Sequence, residues 1–222
     1  MIYQLYQKNR FLLLPLLAAI ALISSIVFSP IATAKLFDGP VDVLPLEQRV
    51  SLRKGEVVFL GKDGDYTGRF LVKTSVDDAW QVLTDYEHFA DFLPGVISSE
   101  LIENDGDRKV FEQINKIKTL IFSIESRVKI ASTESYPEQI AFQAVDGDLK
   151  TLNGEWLLEP VSPYPSAPPD SVLITHKVTV EPAEAPSDAI FFSIYEDRLQ
   201  ETLLEIKQET ERRSGNLAED KQ

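Results

Sequence analysis

The chain of 222 residues has no cysteine and only two histidines, His88 and His176. Without cysteine there are no disulfides, thiolate zinc sites, iron–sulfur clusters or thiol nucleophiles. Two isolated histidines exclude cages built from several imidazoles, so we expect neither a metal nor a cofactor. Positive charge is also scarce. Lys and Arg total 22 against 35 Asp and Glu, a net charge of −13. That sign repels phosphate backbones and excludes general nucleic-acid binding. Gly55 and Gly61-Lys62 are one residue too far apart for a phosphate loop, and no Ser or Thr follows the lysine. There is no dinucleotide glycine fingerprint, no Gly-x-Ser-x-Gly elbow and no His-Glu-x-x-His.

What is present begins with a leader. Lys8 and Arg10 precede an uncharged run from Phe11 to Phe28, and Ala32-Thr33-Ala34 forms a small-x-small cleavage signature. The pattern predicts an export signal at 1–34, cleaved before Lys35, with the rest delivered to a periplasm or lumen. The run just reaches the length of a bilayer span, so an uncleaved anchor through residues 11–28 is the alternative. Residues 35–54, with Pro40 and Pro45, read as a lead-in of little structure. Residues 55–213 form one domain, and 214–222 a polar tail. A content of 44% hydrophobic and 26% charged residues suits a packed core.

Within the domain the apolar residues set the elements. Val57 to Leu60 and Tyr66 to Thr74 read as two strands joined by the turn cluster Gly61-Lys62-Asp63-Gly64-Asp65. Ser75 caps a helix carrying Ala79, Trp80, Val82 and Leu83, and a second short helix runs from Glu87 to Phe92 until Leu93-Pro94-Gly95 stops it. Six stretches of strand character follow, at 96–103, 108–118, 121–132, 138–146, 152–159 and 171–181. Phe122, Ile124, Val128 and Ile130 alternate with Glu125, Arg127 and Lys129, and Val172, Ile174, His176, Val178 and Val180 share one parity. Five prolines between Pro160 and Pro169 exclude regular structure there and predict a stiff loop. Phe192, Tyr195, Leu199, Leu203 and Ile206 mark one stripe of a long last helix reaching about Arg212. One long helix must cover a sheet of about seven or eight strands, so the sheet has to curl around it.

This order of elements, the segment Trp80-Gln-Val-Leu-Thr-Asp-Tyr-Glu-His-Phe-Ala-Asp-Phe-Leu-Pro-Gly95 and the later Gly154-Glu-Trp156 resemble the START-like (SRPBCC) superfamily. Within it they are most similar to the polyketide cyclase/dehydrase and coenzyme Q-binding branch, over roughly residues 55–212. The resemblance implies an α+β helix-grip fold: a curved antiparallel sheet wrapped around a long C-terminal helix, with an apolar cavity between them. It also implies a lipophilic partner, whether lipid, prenylquinone or polyketide-like molecule. It does not imply one chemistry, because the fold hosts binders and enzymes alike. The leader departs from the usual coenzyme Q-binding members.

The candidate ligand residues are Phe142, Trp156 and His176 on the drier strand faces, and Phe192, Tyr195 and Leu199 on the helix stripe. Phe89 and Phe92, beside Leu93, could form a lid over the cavity mouth or touch a membrane surface. His176 is expected to donate a hydrogen bond to a ligand carbonyl or to act as an acid or base. Tyr86 and Tyr195 could orient a ligand oxygen. No catalytic residue is assigned, and non-catalytic binding, transport or presentation is the expected function. A cyclase or dehydrase would need His176 with Tyr195 or Glu112. A protein-interaction module would fill the cavity with its own side chains.

Overall fold

The computed structural model describes residues 39–118, 123–183 and 187–219. The leader at 1–34 and the end of the tail at 220–222 lie outside these residues. Helix α1 is Leu46–Arg53, β1 Val58–Lys62, β2 Asp65–Val72 and α2 Val76–Leu83. A single 3₁₀ turn at Tyr86–His88 leads into α3, Phe89–Phe92. Then come β3 Val96–Asp105, β4 Arg108–Lys118, β5 Ser123–Ser135, β6 Gln139–Gly147, β7 Leu149–Val161, β8 Ser171–Pro182 and α4 Asp188–Glu219.

All eight strands join one antiparallel sheet in the order β1-β2-β8-β7-β6-β5-β4-β3. The chain makes its first hairpin, leaves for α2 and α3, and lays down β3 to β8 as a meander whose last strand returns to β2. The short elements follow local chemistry. Ser75 Oγ accepts the Asp78 backbone N–H at 3.1 Å, capping α2. Leu93 is extended at φ −80°, ψ 130°, as the following proline requires, and α3 ends there.

Residues of like parity pair across the sheet. Phe70 faces Ile174, Gly68 faces His176, His176 faces Trp156 and Trp156 faces Ile140. Their common side is the concave one, and α4 lies against it. A main cluster of Phe70, Val72, Trp80, Val82, Ile174, Val180, Leu199 and Leu203 fills the space under α2 and α4. A second cluster of Tyr86, Phe89, Phe111, Val128 and Ile130 fills the β3–β5 end under α3. Phe70, Val72, Ile174, Val180 and Leu203 are fully buried. Each such side chain contributes about 1.5–3 kcal/mol relative to exposure.

Three expectations need correction. The segment at 35–54 is not structureless: Leu46–Arg53 is helical, and Leu52 with Val41 packs on Val58 and Leu173 on the outer face of the sheet. Arg69 Nη1 donates to Gln48 Oε1 at 3.2 Å across the same contact. The Pro40 and Pro45 that suggested a loop precede the helix, where proline is harmless. Pro160 also belongs to β7, opposite Val172. Pairing with β6 ends at Gln139–Leu157, with a last bond from Leu158 N–H to Glu138 O, so the N–H that Pro160 lacks has no strand to meet. α4 also runs past Arg212, through the first part of the expected tail.

Candidate functional site

The site starts from a glycine. Phe142 on β6 pairs with Gly154 on β7, which pairs with Val178 on β8. A Cβ on Gly154 would stand 2.1 Å from the Lys177 carbonyl oxygen and 2.7 Å from Phe142 Cζ. Glycine therefore lets the Phe142 ring lie across β7 and reach His176, on β8. Their centroids are 5.5 Å apart and their planes 11° apart. Trp156 stacks on His176 at 3.9 Å and 30°. The result is a Phe–His–Trp stack on the concave face, in which His176 is 5% exposed while Phe142 and Trp156 are only half-buried.

The imidazole has little to hold. Its Nδ1 is buried and has no hydrogen-bond partner. Burial pushes its pKa down to about 3, against a smaller upward pull from the backbone of Glu155. The ring is therefore neutral at physiological pH, a polar group inside an aromatic stack.

The expected helix residues meet a different neighbourhood. Leu199 is buried in the main cluster. One turn on, Leu203 occupies the space over Gly68, where a Cβ would fall 2.3 Å from its Cδ1. Tyr195 stacks on Tyr66 at 5.7 Å and on Phe191 at 5.9 Å. The ring of Phe192 lies against Gly64 in the β1–β2 turn. Tyr66 Oη donates to Glu196 Oε1 at 3.0 Å, and burial first, then that carboxylate, push its pKa up to about 12. Burial likewise pushes the Tyr195 phenol up. Phe142, Trp156 and His176 thus come together as one group, while Phe192 and Tyr195 stack over the first hairpin.

The lid residues divide as well. Phe89 is 8% exposed and meets Tyr86 at 5.6 Å and Phe111 at 5.9 Å, so it is a core side chain. Tyr86 Oη bonds Ser132 Oγ at 3.0 Å and donates to Glu134 Oε1 at 2.8 Å, and is occupied. Phe92 is half-buried. With Leu93, Phe142, Leu149 and Leu152 it packs against both clusters, so these residues mark where the two cores meet. Above Phe92 sits the Arg213 guanidinium, 5.6 Å from the ring centroid. Arg213 Nη1 donates to Asp85 Oδ2 at 2.7 Å, and Asp85 Oδ1 lies 2.6 Å from His88 Nδ1. This latch ties α3 to α4. Burial pushes Asp85 up, but His88 and Arg213 outweigh it and hold the carboxyl below its usual range. The hydrogen bond to Asp85 raises His88, which is exposed.

Sequence reasoning missed Ser99. It is 7% exposed, its Oγ has no partner, and it pairs with Gln113 two residues from the Leu101–Phe111 pair of the second core. A register shift between Leu101 and Glu103 breaks the alternation that would have revealed its face. Glu112 must be removed as a partner for His176. Phe111 points into the core, so Glu112 points outward, where Arg127 Nη1 donates to it at 2.7 Å.

Clefts open on the described surface. One of about 320 Å3 is lined by Ala141, Asn153, Glu155 and Lys177 among others, and one of about 430 Å3 lies at the latch between Asp85, Phe92, Glu209 and Arg213. Neither is lined by Trp156, His176, Tyr195 or Leu199. Among the described residues no group of three or more His, Asp or Glu could hold a metal, and no helix is long and apolar enough to cross a membrane.

An eight-stranded curved antiparallel sheet around one long C-terminal helix defines a helix-grip, START-like protein. The chain belongs to the polyketide cyclase / dehydrase and lipid transport family, whose profile matches residues 72–206. Solved structures share the fold at low identity. A STAR-related lipid transfer protein from Xanthomonas axonopodis is 18% identical, with a TM-score of 0.57 over 69% of this chain and 92% of its own. The Zhui aromatase/cyclase from Streptomyces sp. R1128 is 16% identical, with a TM-score of 0.53 over 67% and 94%. A START superfamily protein from Mycobacterium smegmatis is 16% identical, with a TM-score of 0.52 over 69% and 98%. No curated protein matches the chain.

Proposed function

We propose that this protein binds and carries or presents a lipophilic molecule, a membrane lipid or prenylquinone, without turning it over. The ligand would lie between the concave sheet and α4, against Phe142, Trp156 and His176. The observation that carries this reading is the stack itself: half-buried aromatic faces on the inner side of the sheet, around a neutral histidine with an unpaired nitrogen. An unpaired buried polar atom costs about 1–3 kcal/mol, which a ligand would recover. The family description, with both cyclases and lipid transport, supports a lipophilic partner.

A non-catalytic role is favoured because the acid/base partners proposed for His176 are placed elsewhere. Glu112 is on the outer face with Arg127, and Tyr195 is stacked on Tyr66. In this reading the leader delivers the domain beyond the cytoplasm or anchors it through residues 11–28, beside the lipid it serves. The test is mass spectrometry of organic extracts from the purified protein. A stoichiometric lipid that disappears in Trp156→Ala supports the reading. A parent protein that carries nothing and takes up no lipid from vesicles would leave the filled-core interaction module in its place.

A further inference from the structure

Resting on the membrane-side placement in that reading, and not on its cargo, we propose that the outer face of α1 docks the domain on an anionic bilayer surface. Leu52 is the α1 side chain that packs on the sheet, beside Val58 and Leu173. Val50 is two residues away, about 200° around the helix, and Leu46 lies one turn before Val50. Leu46 and Val50 therefore face away from the sheet, 65% and 43% exposed, and Val43, just before the helix, is 68% exposed. Leu60 is exposed as well, and shares the parity of Val58 on the edge strand β1. Single exposed apolar side chains are ordinary, but a group on one face marks an interaction surface. Ile190 and Leu204 on α4 are of the ordinary kind, fourteen residues apart with Asp188, Glu201 and Glu205 beside them.

Charge and tethering name the occupant. Across 39–54, Arg49, Arg53 and Lys54 outnumber Asp42 and Glu47, with Arg53 pairing Asp42, so this segment is positive in a chain of net charge −13. Apolar side chains bordered by Arg and Lys match the boundary between acyl chains and anionic headgroups, where long basic side chains reach up to the phosphates. A protein partner fits less well, because four part-exposed side chains fall far short of the about 800 Å2 per partner of a standard interface. A second copy would also set this positive segment against itself. A bilayer needs no such area when the chain is tethered to it. The uncharged run Phe11–Phe28 ends fifteen residues before Val43, a stretch of about 50 Å at full extension. Within that reach even a weak contact acts at high effective concentration. α4 covers the other face of the sheet, so docking through α1 turns the concave side away from the lipid surface. The membrane contact expected at Phe89 and Phe92 is thereby reassigned to Val43, Leu46 and Val50.

The absence of cysteine allows one nitroxide label per chain. Leu46→Cys, Val50→Cys and, as a control on α4, Leu204→Cys are labelled separately in the full chain. Each is placed on vesicles of phosphatidylcholine and phosphatidylglycerol, and label depth is read by electron paramagnetic resonance from relaxation by oxygen against a water-soluble nickel chelate. Labels at positions 46 and 50 should lie about 5–10 Å below the phosphates, and the label at 204 in water. Val43→Glu together with Val50→Glu should return the label at 46 to water while the chain still floats with the vesicles. These side chains are exposed, so an unchanged melting midpoint separates release from unfolding. A label at 46 in water on the otherwise unaltered chain, or one at 204 equally deep, overturns the proposal and leaves the membrane-side reading standing. So does mutual broadening of the labels at 46, the mark of a second copy. Equal depth in phosphatidylcholine alone overturns the anionic partner. A chain that does not float with the vesicles overturns both the docking and the anchor.

Discussion

The two histidines occupy two regions built on opposite principles. His176 lies in an aromatic stack with no charged side chain in its stacking contacts, and burial alone drives its pKa to about 3. His88 lies in a latch made of charges, open to solvent, and Asp85 drives its pKa the other way. The stack is held by shape, with a glycine leaving room for a ring. The latch is held by ion pairs that water weakens. Shape complementarity in a buried place tolerates little change, whereas exposed ion pairs contribute little each. The stack should therefore dominate stability and ligand affinity, and the latch should modulate how α3 sits on α4.

The sharpest way to break this contrast is Gly154→Ala. The new Cβ would collide with the backbone at Lys177 and with Phe142, so the strands must shift. We expect a loss of about 3 kcal/mol in denaturant melts, at the top of the range for overpacking. A near-neutral effect would mean that the stack is loosely held.

Acid should come next. The folded pKa of His176 is depressed, so below about pH 6.5 the unfolded chain binds a proton that the folded chain refuses. Stability should fall by about 1.4 kcal/mol for each pH unit from 6.5 toward 3. Between pH 6.5 and 4.5 the parent should lose about 2.5 kcal/mol more than His176→Phe, measured side by side. Parallel curves would show that the ring is hydrated.

Trp156→Ala should cost about 2 kcal/mol, short of the 3–5 kcal/mol of a fully buried aromatic, because Trp156 is only half-buried. Lipid retention should suffer more than stability. A full core-scale loss would place Trp156 in packed core and count against a cavity.

At the latch, Arg213→Ala removes the contacts to Asp85 and Glu209 and the guanidinium over Phe92. A loss of about 1 kcal/mol is expected, shrinking in high salt. The smallest effect should be the pH response of His88. Its pKa is raised by Asp85, so its contribution is complete below about pH 6.5 and disappears as pH rises through the higher folded value. The parent should therefore soften slightly from pH 6 to 8 relative to His88→Asn, the opposite slope to His176. Were the two slopes of one sign, the contrast between the regions would fall.

Much of the fold was readable because local rules and core demands agreed. Ser75, the Leu93-Pro94 stop, the shared face of Val128 and Ile130 on β5, the face of β8 and the stripe from Phe192 to Ile206 all appear where the periodicities place them, while Phe122 and the Ile124 side chain lie outside the described residues. The α1 segment was not readable, because its exposed Leu46 and Val50 show no clean amphipathic pattern and only Leu52 is buried. Phe89 could not be told from a lid residue, since an aromatic near a proline reads the same whether it caps a core or borders a mouth.

The sequence by itself determined the acidic character, the absence of thiol chemistry, the element order from β1 onward and the inward face of β8 that carries His176. Those depend on composition and on residues near each other along the chain. Tertiary structure alone decided that Gly154 opens a passage between Phe142 and His176, that Glu112 faces Arg127, and that Ser99 is buried unpaired. Each depends on which strands become neighbours and in what register. A strand carries its own alternation, but its partners and any bulge are settled by the packing of the whole sheet around α4.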